Sequence, residues 1–267
     1  MKTSSGINEK NRRLLESLNR FGKQLFSIKE AAIIMKLSQE DARFYLAYFT
    51  RRGWLSRVKR GLYISVPFGA VNPQEYKENP WIVVNRIFSP CYIGGWSAAE
   101  HWDLTEQIFN SVCVFTRRVF RNKNVNIQAT DYVLKLVRGK NLGHTKNVWI
   151  ENVKVQVSDP TQTVVDMLDD PLCGGGIRNI VEIIKTYCSS EHYHEANLLT
   201  YIAERNNRTV YKRLGYILET LGIQLPKVIE ECRKKISAGY STLDPSIKGK
   251  GMFNRRWMLK INAEIRK

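Results

Sequence analysis

Ser27-Ile28-Lys29-Glu30 and Ser38-Gln39-Glu40-Asp41 are two helix-opening signatures eleven residues apart, and no other feature of the chain leaves its fold so little choice. In the first, a serine hydroxyl accepts from the third following amide while a glutamate reaches back to the serine amide, a capping box. The helix it opens runs through Met35 and must stop before the second begins. In the second, Ala42, Tyr45, Leu46 and Phe49 share one face, Gln39, Arg43 and Ala47 fall on another, and Gly53 ends the helix. Beyond the glycine the chain alternates: Leu55, Arg57 and Val58, a turn at Lys59-Arg60-Gly61, then Leu62, Ile64 and Val66 with Tyr63 and Ser65 between. Two short helices and a hairpin with a cationic tip spell a winged helix-turn-helix over residues 1–66.

Such an arrangement has a direct use for positive charge. The second helix enters the major groove with its N-terminal residues against base edges. Gln39 and Arg43 occupy its first turns, and arginine pairs bidentately with guanine as glutamine does with adenine. Lys36 and the Ncap Ser38 are placed for phosphates, beside the positive end of the helix. Arg57, Lys59 and Arg60 form the wing, suited to phosphates or a narrow minor groove. The formal charge is +17, and it is uneven. Residues 1–70 hold 14 Lys and Arg against 5 Asp and Glu, a net +9, while the rest hold 28 against 20, a net +8 over nearly three times the length. Polyanions, double-stranded DNA first among them, are the expected partners.

At 267 residues with 43% hydrophobic content the chain has material for two or three modest cores. No apolar run approaches the roughly 20 residues of a membrane span. Met1 to Lys10 is polar and lacks the apolar core of a signal peptide, so a cytoplasmic protein is expected. Cys91, Cys113, Cys173, Cys188 and Cys232 are scattered and never form a Cys-x-x-Cys pair, which predicts reduced, mostly buried thiols and no structural zinc.

Three prolines and a glycine between Pro67 and Pro80 break periodicity and mark residues 67–80 as a linker. Residues 81–158 read as mixed α/β. A helix runs from Trp81 through Phe88, Gly94-Gly95 breaks the pattern, another helix begins near Ser97, and strands are expected at Val112–Arg118, Tyr132–Arg138 and Val153–Val157. Residues 159–267 read as mainly helical, with helices at Thr163–Leu168, Ile177–Tyr187, Ala196–Arg205 and Thr209–Leu221 and a C-cap at Gly222. The fold class is therefore α+β: a winged helix, a mixed α/β middle and a helical end, residues 81–267 forming the second domain.

Signatures of catalysis are weak. Gly174-Gly175-Gly176 precedes a helix without the Gly-Lys-Ser/Thr of a phosphate loop and reads as a turn. Asp159 and Asp166 have the spacing of paired carboxylates, yet Asp159-Pro160 is a natural turn and Asp166 suits a helix face. Glu151 and Lys154 stand one residue too far apart for a nuclease Glu-x-Lys. His192-Tyr193-His194, near Cys188, reads more simply as an interhelix loop than as a metal site, and neither His101 nor His144 has a nucleophile motif beside it. No enzyme, metal or cofactor is predicted. Further phosphate contacts are assigned to Arg117 and Arg118, and to Lys248, Lys250, Arg255 and Arg256, where cations interleave with glycine and aromatics. A solvated edge anchored to the core by Phe253 and Trp257 is the competing reading of that last segment.

Several pieces, in this order, resemble one family. Arg51-Arg-Gly-Trp-Leu-Ser-Arg-Val-Lys-Arg-Gly-Leu-Tyr63 looks like its wing, and Tyr92 to Trp102 is similar to its post-linker segment, where a Ser-Ala pair opens a helix. Val157 to Asp166 resembles its strand-to-helix Asp-Pro-x-x-Thr-x-x-Asp element, and Arg213 to Glu219 a late helix. The family is that of the AbiEi antitoxins of bacterial type IV toxin-antitoxin, or abortive infection, systems. The resemblance implies a regulator that binds inverted repeats in its own promoter, as a dimer or as cooperative monomers, and represses the operon. It also implies a C-terminal domain that counters a nucleotidyltransferase-like toxin, with or without direct contact. A general winged-helix regulator or a protein-binding adaptor is the alternative.

Overall fold

A computed structural model describes residues 7–20, 25–67, 70, 72, 75–138 and 142–265. Met1 to Gly6 of the polar N-terminus and residues 68, 69, 71, 73 and 74 of the expected linker lie outside them. The chain divides into two compact units, Met1–Arg86 with Asn126–Thr130, and Ile87–Val125 with Asp131–Lys267.

The first unit opens with α1 (Glu9–Arg20), an element the capping signals at Ser27 and Ser38 do not announce. Its own signals are local: Asn8 accepts from the Asn11 amide at 2.8 Å, and Leu14, Leu15 and Leu18 recur at helical spacing. β1 (Leu25–Ser27), α2 (Ile28–Met35), α3 (Gln39–Arg51), β2 (Leu55–Lys59) and β3 (Leu62–Ser65) complete the winged helix. The sheet order is β1-β3-β2, antiparallel throughout. β1 is too short to show a period, and it changes the hairpin. It makes β3 the central strand, so Leu62, Tyr63 and Ile64 are all buried where alternation alone predicts Tyr63 on the other side. Phe26, Ala31, Met35, Ala42, Leu46, Phe49 and Leu55 fill the core beneath. α4 (Pro80–Phe88) leads out of this unit.

The second unit is built on a mixed six-stranded sheet ordered β6-β7-β5-β4-β9-β8. Its strands are β4 (Cys91–Ile93), β5 (Ser111–Thr116), β6 (Asn124–Ile127), β7 (Thr130–Leu136), β8 (Thr145–Ile150) and β9 (Val153–Ser158). β8 is read as no element from sequence because it lacks a buried face of its own, Trp149 being 66% exposed, and its pairing with β9 is what makes it a strand. α5 (Gly95–His101) starts two residues before the Ser-Ala pair. α6 (Pro160–Asp169), α7 (Ile177–Ser189), α8 (Glu195–Arg205), α9 (Arg208–Leu221) and α10 (Pro226–Lys235) come next. A small sheet of β10 (Ser241–Thr242), β12 (Leu259–Ile261) and β11 (Met252–Asn254) ends the chain. The reading of this region as helical leaves out α10 and that sheet.

α6 is buried along Pro160 to Leu168, polar residues included, and every one of those polar groups is matched. Asp159 caps the helix, accepting from the Gln162 amide at 2.8 Å, and Thr161 shares a hydrogen bond with the Tyr187 hydroxyl at 2.8 Å. Asp166 accepts from Tyr92 and from Gln162, each at 2.8 Å, and faces Arg205 at 3.5 Å. Burial pushes its carboxyl up to about 6, while Arg205 and the two donors pull the other way. Left unpaired, each of these groups would cost about 1–3 kcal/mol. The Asp-Pro-x-x-Thr-x-x-Asp element thus serves as the wiring of a buried helix.

Candidate nucleic-acid interface

The turn between α2 and α3 is fixed at both ends. Ser27 Oγ accepts from the Glu30 amide at 3.3 Å and Glu30 accepts from the Ser27 amide at 2.8 Å, the reciprocal cap; Arg86 adds an ion pair to the same carboxylate. α2 ends at Lys36, whose φ of 55° is left-handed, and Leu37 donates to Ala32 O at 2.9 Å to close the turn. For a residue with a Cβ this conformation costs about 1–2 kcal/mol. Lys36→Gly is therefore expected to raise the unfolding free energy by about 0.5–1 kcal/mol while weakening binding to DNA at low salt. Denaturant titration and a DNA titration on one protein stock check both halves, and a loss of stability would contradict the strain argument.

Ser38 opens α3. Its hydroxyl accepts from the Asp41 amide at 3.0 Å and donates to the Asp41 carboxylate at 2.7 Å, so its proton is already placed within the cap. Glu40 and Asp41 in the first turn favour the helix through its dipole. Gln39 and Arg43 are exposed, as is Lys36. Ala42, Leu46 and Phe49 face the core.

The wing leaves α3 without slack. Gly53, with a φ of 76°, ends the helix, and Trp54 donates to Phe49 O at 3.0 Å. β2 and β3 pair with Arg57 opposite Tyr63 and a shift of register between Arg57 and Lys59. Arg60-Gly61 turns the hairpin; at Gly61 φ is 78° and a Cβ would meet nothing closer than Ile28 at 3.8 Å, so the constraint is conformational. Val58 and Leu62 are buried beneath the tip while Arg57, Lys59 and Arg60 stay exposed. Burial of the apolar residues in the wing is what holds its cations out in water.

In the second unit the cations assigned to phosphates differ in surroundings. Lys248, Lys250 and Arg255 are exposed. Arg256 is held by Glu219, with Nε 2.9 Å from both carboxylate oxygens. Arg118 donates to Ile87 O at 2.9 Å and lies over the Phe120 ring, while the exposed Arg117 has its amide on Pro90 O. The residues weighed for catalysis have structural partners. Asp244 accepts from the Ile177 amide at 2.8 Å, so the helix start after the glycine run holds an anion of its own chain. His194 accepts from the Asn197 amide as the cap of α8, and His144 stacks on Tyr201 at 3.6 Å and meets Glu204 at 2.6 Å. Among the described residues no group of three or more His, Cys, Asp or Glu is placed to hold a metal ion, and no helix is long and apolar enough to cross a membrane.

A capped two-helix turn followed by a cationic hairpin on a three-stranded sheet defines a winged helix-turn-helix domain. Residues 13–66, from within α1 to the end of the wing, match the family model described as a transcriptional regulator, AbiEi antitoxin. Over those residues the chain is similar to the AbiEi antitoxin transcriptional regulators. Among curated proteins no sequence matches it.

Proposed function

We propose that this protein is the antitoxin of a type IV toxin-antitoxin system that binds inverted repeats in its own promoter through the winged helix and represses the operon. The observation carrying this reading is the joint presentation of an exposed α3 N-terminus and an exposed cationic wing on a domain matched to a family of transcriptional regulators. Gln39 and Arg43 read base edges; Lys36, Ser38, Arg57, Lys59 and Arg60 position the domain on phosphates. Lys248, Lys250 and Arg255 extend the footprint. The second unit counters a nucleotidyltransferase-like toxin. Inverted repeats are met by a dimer or by monomers binding cooperatively.

Titration of the protein with its own upstream DNA and with a scrambled duplex, across a salt series, tests the reading. Selective binding with protected half-sites supports it, and equal affinity for both duplexes rejects it. In the same assay Arg43→Ala is expected to cost about 1–3 kcal/mol on the operator and to relax sequence preference, whereas Lys59→Ala weakens all duplexes alike. Equal losses on operator and scrambled DNA for both variants would remove this division of roles.

A further inference from the structure

Ala42, Leu46 and Phe49 define the buried face of α3, and the stripe opposite them runs through Glu40, Phe44, Ala47 and Arg51, at steps of four, three and four. Gln39 and Arg43 flank that stripe on one side. Its most prominent member is Phe44, 63% exposed, with Tyr45 edge-on to its ring at 5.6 Å between centroids. Counting outward from the buried face finds it in the sequence; looking for polar base readers passes over it. A phenyl ring left in water at the centre of a recognition helix forgoes the burial that stabilises the rest of this domain's aromatics.

We propose that Phe44 is a specificity-determining residue that packs against the C5-methyl group of a thymine in the major groove. The thymine methyl is the apolar feature of the major-groove edge, and an aromatic side chain complements it while leaving the hydrogen-bonding edges of guanine, cytosine or adenine unmatched. Phe44 is flanked by Arg43, and the stripe ends in Arg51, within a segment whose first 70 residues carry a net +9. That charge favours a polyanion over a second copy of the same surface. The inference rests on the proposed DNA reading and adds to it a base that the polar residues do not select.

Selection of duplexes from a random pool with the full chain comes first, followed by replacement of each selected thymine with deoxyuridine, which removes only the methyl. Wild type is expected to lose about fourfold at the contacted thymine, the worth of one buried methyl group. Phe44→Ala binds the thymine duplex more weakly and does not distinguish uracil from thymine, and Phe44→Leu keeps part of the preference. A pool without enriched sequences overturns the operator reading itself. An enriched motif whose methyl groups are without effect, or whose methyl effect persists undiminished in Phe44→Ala, overturns the role of Phe44 alone. Loss of self-association in Phe44→Ala, with methyl sensitivity unchanged, assigns the ring to a protein contact and also overturns it.

Discussion

Trp257→Ala is expected to lower the unfolding free energy of the full chain by about 3–5 kcal/mol, the range for removing a large buried aromatic. Trp257 is fully buried in the core of the second unit, and its indole donates to Glu219 at 2.7 Å. The outer carbons of its six-membered ring come up against α9 at Gly215, where an added Cβ would sit 2.1 Å from them. Gly215→Ala therefore forces the same displacement from the other side. Arg213, on the same helix, sends its buried guanidinium to the carbonyls of Leu168, Asp169, Thr242 and Leu243. The stretch from Arg213 to Glu219 clamps α6, α9 and the terminal sheet together. Phe253, expected to anchor this segment, is instead 64% exposed, and Phe253→Ala is expected to change stability by no more than about 0.5 kcal/mol. Urea denaturation of the two variants side by side decides the matter; a Trp257→Ala midpoint equal to wild type would detach the C-terminal segment from the core. The same burial means that deleting residues 247–267 removes core along with charge. The contribution of Lys248, Lys250 and Arg255 to DNA binding is properly measured by substituting those three.

The second large effect is on DNA binding. Replacing Arg57, Lys59 and Arg60 together by alanine is expected to reduce affinity in about 0.15 M salt by roughly two orders of magnitude, near 3 kcal/mol, and to flatten the slope of log K against log salt by about 2.7. The loss falls on operator and unrelated DNA alike, because phosphate contacts carry no sequence information. The domain remains folded, since the three side chains are exposed while Val58 and Leu62 beneath them stay buried. An unchanged salt slope in the triple variant would show that the wing does not touch DNA.

The helix starts at Ser27 and Ser38, the stop at Gly53 and the basic hairpin are legible because each is decided within about four residues of chain. A cap needs one side chain and one amide, and a turn needs one residue free to take a left-handed φ. The same locality makes the cap at Asp159 and the helix behind it readable. α1 escapes that reading although its Asn8 cap and leucine spacing are of the same kind.

The tertiary structure decided which face of each element meets water. β1 contributes three residues with no pattern of their own, yet its pairing with β3 buries Tyr63. The helical spacing of α3 groups Ala42, Tyr45, Leu46 and Phe49 on one face, yet how much of each aromatic ring is covered is set by the packing, which leaves Tyr45 half-buried and Phe44 63% exposed. At the far end, a run of cations and aromatics that composition presents as a surface tail contains a tryptophan buried on a glycine 42 positions earlier. Capping, turn geometry and charge are properties of neighbours along the chain, and the sequence by itself determined them. Burial is a property of neighbours in space, and only the folded structure could assign it.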